Sequence, residues 1–379
     1  MQTCTRFPSW LGAAGLTSGG GRPPDGRPES IEGHGPARSF SPDLSRRAEG
    51  DPAQQMDRIA FVFPGQGSQS VGMGKALVEA SPAAAAVLAE ADDALGEPMS
   101  RLAFDGPAEE LDLTVNAQPA LVAVSIAYLA AVRERWAAAG IAAPQPAYSA
   151  GHSMGQYTAM VAAGVLSLAD AVRLVRERGV QMQASGSGRA GAMAAIIGLD
   201  DSRLPELIAL GSSHGSLTVA NRNAPGQVVI SGDRAAVEAA LAGVKELGAR
   251  RGILLPVSVA AHSPLMAEAA EGMTRVLAPV HFADPKVPLL ANADARPITT
   301  ADGARGELIE HLTRGVDWIA AVGRMTADGV TTFVEIGPGK ILTGLIKRIA
   351  PDANAIAVDD AGAPGGIAVP FDERATITH

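Results

Sequence analysis

Ala147-Tyr148-Ser149-Ala150-Gly151-His152-Ser153-Met154-Gly155-Gln156-Tyr157-Thr158-Ala159-Met160 is a short apolar run, a G-x-S-x-G turn and then a helix of small residues. That order is the pattern of a strand-to-helix elbow with Ser153 at its apex. Such a turn lifts the serine oxygen clear of the backbone and aims the first N–H groups of the following helix at whatever the oxygen carries. Gly151 and Gly155 have a steric reason there, because a side chain at either position would collide where strand and helix pass close together. In a chain with 43 glycines the bare pattern decides no function, so the flanking sequence has to supply the rest.

Upstream, Arg58-Ile59-Ala60-Phe61-Val62-Phe63 reads as a buried parallel strand that ends in Pro64-Gly65-Gln66-Gly67-Ser68-Gln69. This is no phosphate loop, since Gln69 and Ala76 stand where that motif needs Gly before, and Ser or Thr after, Gly74-Lys75. Helical patterns follow at 72–95 and from near Asn116 to Ala139, where Gln118-Pro119 suits a first turn. A third, over 168–183, contains Arg173, Arg176 and Arg178. Between 187 and 256 the texture changes to short strands at 192–199, 217–221, 227–231 and 250–257 with two helices between them, and Asn223-Ala224-Pro225-Gly226 turns the central hairpin. The order βαββαβ is the ferredoxin-like unit. The α/β rhythm then returns, with helices over 264–277, 302–313 and 317–328, strands over 287–291 and 331–335, and Gly337-Pro338-Gly339 opening a last helix to Ile349. A short edge strand over 355–358 completes the series. The expected fold is α/β: an α/β-hydrolase-like large subdomain with a parallel sheet, built from 58–186 and 257–358, with a ferredoxin-like small subdomain inserted over 187–256.

Residues 1–57 are rich in Gly, Pro, Ser and Arg and read as a disordered N-terminal extension; 359–379 read as a loose C-terminal tail. The extension has no apolar signal-peptide core, and its arginines are balanced by acids, unlike a transit peptide. Its removal is expected to leave activity unchanged. A net charge of −9 without a Lys/Arg cluster argues against nucleic acid as a partner. No apolar run reaches the roughly 18 uninterrupted residues of a membrane span. Cys4 is the only cysteine, which excludes disulfides within the chain and Cys-based metal sites. A cytoplasmic monomer without metal or redox cofactor is the expectation.

A serine hydroxyl needs a base within reach. His34 and His379 fall in the tails, His214 in a Ser/Gly turn and His281 in a connector, while the side chain of His152 diverges from its neighbour Ser153. His262 and His311 remain. His262 is the better base, because Val257-Ser258-Val259-Ala260-Ala261-His262-Ser263-Pro264 delivers it from a strand end into a helix start, at the rim where parallel sheets place their sites. Asp200, Asp201 and Asp233 lie in the interval between Ser153 and His262 but inside the inserted unit, away from the expected sheet rim, which favours a Ser–His dyad over a hydrolase triad. Arg178, on the helix after the elbow helix, can set a planar guanidinium over an acyl pocket and bind a substrate carboxylate in bidentate fashion; an exposed helical Arg like Arg173 or Arg176 is the plainer alternative.

FPGQGSQ, GHSMGQYTA, LVRERGVQMQ, GAMAAIIGL, AAHSPLM and EIGPGKILTGLIKRI stand in the order and approximate spacing of the malonyl-CoA:acyl carrier protein transacylases, which the chain resembles over residues 58–350. The resemblance implies that Ser153 carries the acyl group, that His262 is its base and acid, and that Arg178 partners the malonyl carboxylate. It also implies an oxyanion hole from the N–H groups of Gln66 and Met154, with His152 beside the substrate. Malonyl-CoA and acyl carrier protein would be the partners, fatty acid synthesis the purpose; a polyketide-synthase acyltransferase shares every one of these residues, and a serine hydrolase is the reading from another class. The elbow departs from the family pattern in having Met154 and Gln156 for Leu and Glu, a difference expected to matter little. Ala261 stands where malonyl-selective relatives often have Phe and methylmalonyl-selective ones Ser. His311 stands where relatives have a Gln whose carbonyl orients the base. If that carbonyl belongs to the backbone, His311 can substitute; if to the side chain, the dyad loses its orienter or gains a titrating neighbour. Lys340, Lys347, Arg348 and Arg314 are the candidate cations for docking an acidic carrier protein.

Overall fold

A computed structural model describes residues 58–186, 190–257 and 259–358. The expectations for 1–57, for 359–379 and for the boundary at 187 fall outside the described residues. In chain order the strands are β1 (Ile59–Phe63), β2 (Tyr148–Gly151), β3 (Gly191–Ile197), β4 (Leu217–Ala224), β5 (Gln227–Asp233), β6 (Arg251–Leu254), β7 (Leu289–Leu290), β8 (Pro297–Ile298), β9 (Val316–Asp317), β10 (Thr332–Ile336) and β11 (Asn354–Val358). The helices are α1 (Lys75–Ala80), α2 (Pro82–Leu95), α3 (Met99–Asp105), α4 (Ala108–Leu111), α5 (Thr114–Ala139), α6 (Gly155–Ala162), α7 (Leu168–Ser185), α8 (Leu204–Ser212), α9 (Arg234–Gly243), α10 (Ala267–Leu277), α11 (Ala301–Thr313), α12 (Trp318–Ala327) and α13 (Ile341–Ile349).

The continuous apolar run Ile59–Phe63 is buried at every position, as a strand covered on both faces must be. It lies inside a sheet of order β11-β10-β1-β2-β7-β8, parallel except for β8. Phe63 pairs with Gly151, so the loop after β1 and the elbow after β2 leave the sheet side by side at its C-terminal rim, where open α/β sheets place their sites.

The second sheet has the order β6-β3-β5-β4-β9. Its first four strands are antiparallel neighbours, and the succession β3-α8-β4-β5-α9-β6 is the ferredoxin-like one expected. The hairpin is tighter than the sequence predicts: β4 runs on to Ala224, and Pro225-Gly226 alone turn it, Gly226 at φ 68°. β9 comes from beyond the insertion and pairs parallel with β4. It is only two residues long, too short to show a period, and the sequence reading lacks it. Arg222 of β4 clamps the joint, donating to Asp317 and Asp201 at 2.8 Å each.

One expectation is refined and another needs correction. The helical patterns over 72–95 are two helices, because Ser81 leaves the helical region and caps α2, accepting from Ala84 N at 3.1 Å with Pro82 at the first position. Pro119 lies inside α5 and not in its first turn, since the Leu113 carbonyl already accepts from Asn116 and Ala117 at 2.8 Å. α5 is apolar almost all round, with Ala120, Leu121, Val122, Ala123 and Val124 fully buried in succession. It is the one described helix long and apolar enough to cross a membrane, but 78% of its apolar window is buried within the protein, as befits a core helix.

Candidate active site

The elbow is built by close approach. A Cβ on Gly151 would lie 2.0 Å from the carbonyl carbon of Gly155, and one on Gly155 would lie 2.4 Å from Phe63 O, so backbone occupies both spaces and neither can give way. Gly151→Ala is therefore expected to cost about 3 kcal/mol or more of stability, read as a lower urea midpoint at unchanged slope. Wild-type stability in that variant would show the elbow to have room for a side chain at this position. Between the two glycines Ser153 sits at φ 52°, in the left-handed region that side chains disfavour. His262, at φ 59°, is one of the two other described non-glycine residues found there. Both reactive side chains are thus held on strained backbone by their surroundings.

Ser153 Oγ lies 2.7 Å from His262 Nε2 across 109 residues of sequence. The other ring nitrogen, Nδ1, lies 2.6 Å from the carbonyl oxygen of His311 and 3.2 Å from that of Arg314. Carbonyls only accept, so Nδ1 holds the proton and Nε2 is left with its lone pair toward the serine hydroxyl, which donates to it. Of the two groups considered at His311, the backbone carbonyl is the one that meets the His262 ring, while the His311 ring turns back to Glu307 O, 3.0 Å from its own Nδ1. Burial, and secondarily the nearby Arg178 cation, push the His262 imidazole down to about 3, which keeps it neutral. Among the described residues no carboxylate is bonded to its ring.

Arg178 is 1% exposed, and its Nη2 donates to Ser153 Oγ at 3.3 Å. Arg173 and Arg176 behave otherwise, bonded near the surface to Ala94 O and to Asn116 and Glu97. The difference is legible in α7. Ala171, Leu174, Val175, Arg178 and Met182 share its buried stripe at helical spacing, and the other two arginines lie off it. Among the described residues Arg178 has no carboxylate partner, and its Nε–H is without an acceptor. A buried guanidinium without a counter-charge is costly unless an anion joins it.

Two further orphaned polar atoms, Tyr157 Oη and His311 Nε2, belong to rings packed edge to face 6.2 Å apart. Burial raises the Tyr157 hydroxyl to about 12 and holds His311 well below the usual histidine range, so both are neutral. Met154 is buried at the start of α6, while Gln66 is exposed on the loop after β1, its side chain donating to Thr114 Oγ1 at 3.2 Å. The backbone N–H groups of both lack an acceptor among the described residues. His152 diverges from Ser153 as expected, its Nε2 2.8 Å from Asn223 Oδ1 and its ring edge-on to Trp318. Ala261 is buried beside the base. Among the described residues no cluster of three His, Cys, Asp or Glu side chains is placed to hold a metal.

Two residues, Asn292 and Glu307, escaped the sequence reading, and a third, Gln156, was set aside in it. Asn292, at the C-terminal end of β7, accepts from Ser153 N at 2.8 Å and donates to Gly151 O at 3.1 Å. Behind it Glu307 Oε1 accepts from Asn292 N at 2.7 Å. Gln156 accepts from Gly151 N at 3.1 Å and donates to Leu290 O at 2.9 Å, fully buried. That corrects the view of Gln156 as immaterial: it is outside the chemistry, but it ties the elbow to β7. A buried polar residue at the rim of a parallel strand, as at Asn292, was the available signal.

The model of the acyl transferase domain matches residues 60–359. The malonyl CoA-acyl carrier protein transacylase of Bacillus subtilis is 46% identical over 306 residues, covering 80% of this chain and 94% of that one. Its Escherichia coli K12 counterpart is 44% identical over 308 residues, covering 81% and 98%. The crystal structure of the acyl-carrier-protein-S-malonyltransferase of Bartonella henselae superposes with TM-score 0.77 at 44% identity, covering 80% of this chain and 96% of that one. A malonyl-transacylase solved in complex with a type II PKS acyl-carrier protein superposes with TM-score 0.76 at 40% identity, covering 80% and 96%.

Proposed function

The chain belongs to the acyl transferase family of malonyl-CoA:acyl carrier protein transacylases, and from that premise we propose that it moves a malonyl group from coenzyme A to the phosphopantetheine thiol of an acyl carrier protein through a malonyl ester of Ser153. The observation that carries the reading is a single constellation: a hydroxyl 2.7 Å from a neutral, oriented imidazole, with a buried, unneutralised guanidinium 3.3 Å from the same oxygen. His262 Nε2 takes the Ser153 proton as Oγ attacks the thioester carbonyl. The resulting oxyanion turns to the N–H groups of Gln66 and Met154, each donor of this kind contributing about 3–4 kcal/mol in known sites. Collapse expels the coenzyme A thiolate, which leaves with the proton from Nε2. In the second half the carrier thiol gives its proton to Nε2 and attacks the ester, and Ser153 Oγ recovers that proton as it departs. A thioester is already activated, so the cycle calls on no metal or redox cofactor.

Arg178 supplies the selection, its free donors and charge suiting a substrate that ends in a carboxylate. Supply of fatty acid synthesis in the cytoplasm is the pathway we assign; the complex of a relative with a polyketide carrier favours, as a second reading, service to a polyketide synthase. For docking, Arg314 is spent on Glu310 and Asp294 at 3.0 and 3.2 Å, and Arg348 on the hairpin at Pro225 O, 2.6 Å away. Lys347, exposed on the last described helix, is the better candidate for meeting an acidic carrier.

The test is intact-protein mass spectrometry after brief exposure to malonyl-, methylmalonyl- or acetyl-CoA, followed by addition of a fatty-acid or polyketide holo carrier protein. Wild type should gain one malonyl group and lose it to the carrier, and Ser153→Ala should gain none. Loss of the adduct to water at the same rate with and without carrier would favour a hydrolase instead. A methylmalonyl adduct as fast as the malonyl one would assign Ala261 a widened pocket.

A further inference from the structure

The strained backbone of Ser153 has to be held, and the holder is an amide. Asn292 Oδ1 accepts from Ser153 N at 2.8 Å while its Nδ2 donates to Gly151 O at 3.1 Å, so one planar group grips the elbow on both sides of His152. The backbone of Asn292 is gripped in turn. Its N–H donates to Glu307 Oε1 at 2.7 Å, and its carbonyl accepts from Asp317 N at 2.7 Å. Glu307 belongs to α11, one turn before His311, whose carbonyl lies 2.6 Å from His262 Nδ1. A single turn of one helix therefore fixes both halves of the dyad: the base through a backbone carbonyl, the nucleophile through a carboxyl and an asparagine. The two side chains of the relay are buried, Glu307 at 1% and Asn292 at 4% exposure.

We propose that Glu307 is a positioning residue for the nucleophile, setting the backbone of Ser153 against His262 through Asn292 without touching substrate. Its function is that of an acceptor oxygen at a fixed reach. Burial supports this, because it raises the carboxyl to about 7, so that its neutral and charged forms, each an acceptor at Oε1, are both present near neutral pH. An amide oxygen at the same reach should serve as well, and a carboxylate one methylene shorter should not. The proposal rests on Ser153 being the acylated residue.

The experiment is rapid-quench mass spectrometry of malonyl loading on the full chain, comparing wild type with Glu307→Gln, Glu307→Asp, Asn292→Ala and the double variant Glu307→Asp/Asn292→Ala. Burst amplitude reports the fraction correctly folded, whereas the rate constant of the burst reports alignment of the dyad. Glu307→Gln should load at close to the wild-type rate constant. Glu307→Asp should lose about tenfold or more in rate constant, with the malonyl-CoA concentration for half-maximal loading nearly unchanged. Since the two residues act in series, the double variant should be no slower than Asn292→Ala alone. A wild-type rate constant in Glu307→Asp, with or without lost amplitude, overturns the proposal, as do single losses that multiply in the double variant. A wild type that takes no malonyl onto Ser153 overturns the functional reading itself; a wild type that loads beside an indifferent Glu307→Asp overturns the proposal alone.

Discussion

His262→Ala should slow malonyl loading of Ser153 by about 10²–10⁴-fold, the range for loss of a positioned general base. The ring has no substitute within reach. His152 is turned to Asn223, and the His311 ring lies 6.1 Å from that of His262, facing its own helix. The pH dependence is the sharper part of the expectation. An ordinary histidine base would lose activity as pH falls through about 6.5. Here burial and Arg178 have lowered the group to about 3, so the neutral, proton-accepting form persists through the whole neutral and mildly acid range. The acid limb of kcat/KM, which reports the free enzyme, should accordingly lie near 3, and His262→Ala should lack it. Loading by His262→Ala at the wild-type rate, or a wild-type limb at the ordinary histidine value, would contradict the assignment.

What could be read from the sequence is what is local or periodic. The elbow is a contiguous motif, and its glycines are required by contacts only a few residues apart in sequence or on the adjacent strand, so its geometry was legible in full. The ferredoxin-like order was legible because its short strands are set apart by helical patterns and by turn residues such as Pro225-Gly226. Arg178 was legible in part: its place on the apolar stripe of α7 marks it as buried, but the absence of a counter-ion emerges only in three dimensions.

Asn292 and Glu307 were not legible for a different reason. The bond from Ser153 to Asn292 spans 139 residues, and nothing periodic in Ala291-Asn292-Ala293-Asp294 distinguishes a clamp from a turn. For His311 the side chain was the wrong place to look. The group that orients the base is a carbonyl every residue has, so the exchange of side chain at that position leaves this function untouched. Gln156 shows the reverse case, in which a side chain set aside on chemical grounds proved to be structural cement, bonding to Gly151 and Leu290.

Arg178→Ala should invert substrate preference. Removing one partner of a buried, hydrogen-bonded charge pair costs about 2–5 kcal/mol, roughly 30- to 5000-fold in malonyl loading. An acetyl group offers Arg178 no carboxylate, so it forfeits none of this and should overtake malonyl in the variant. The guanidinium also acts on the base. Its positive charge is the second cause, after burial, of the low basicity of His262. A malonyl carboxylate seated on Arg178 offsets that charge and so makes His262 a better proton acceptor at the moment one is needed, whereas acetyl leaves it weak. In Arg178→Ala the repulsion is gone for every substrate, and the acid limb of acetyl loading should move upward from about 3. Arg178→Lys should recover little, because a point charge on a flexible stem cannot reproduce the bidentate fork beside Ser153 Oγ. Parallel losses of malonyl and acetyl loading, with the acid limb unmoved, would make Arg178 a structural residue and leave the selection of the diacid to another part of the pocket.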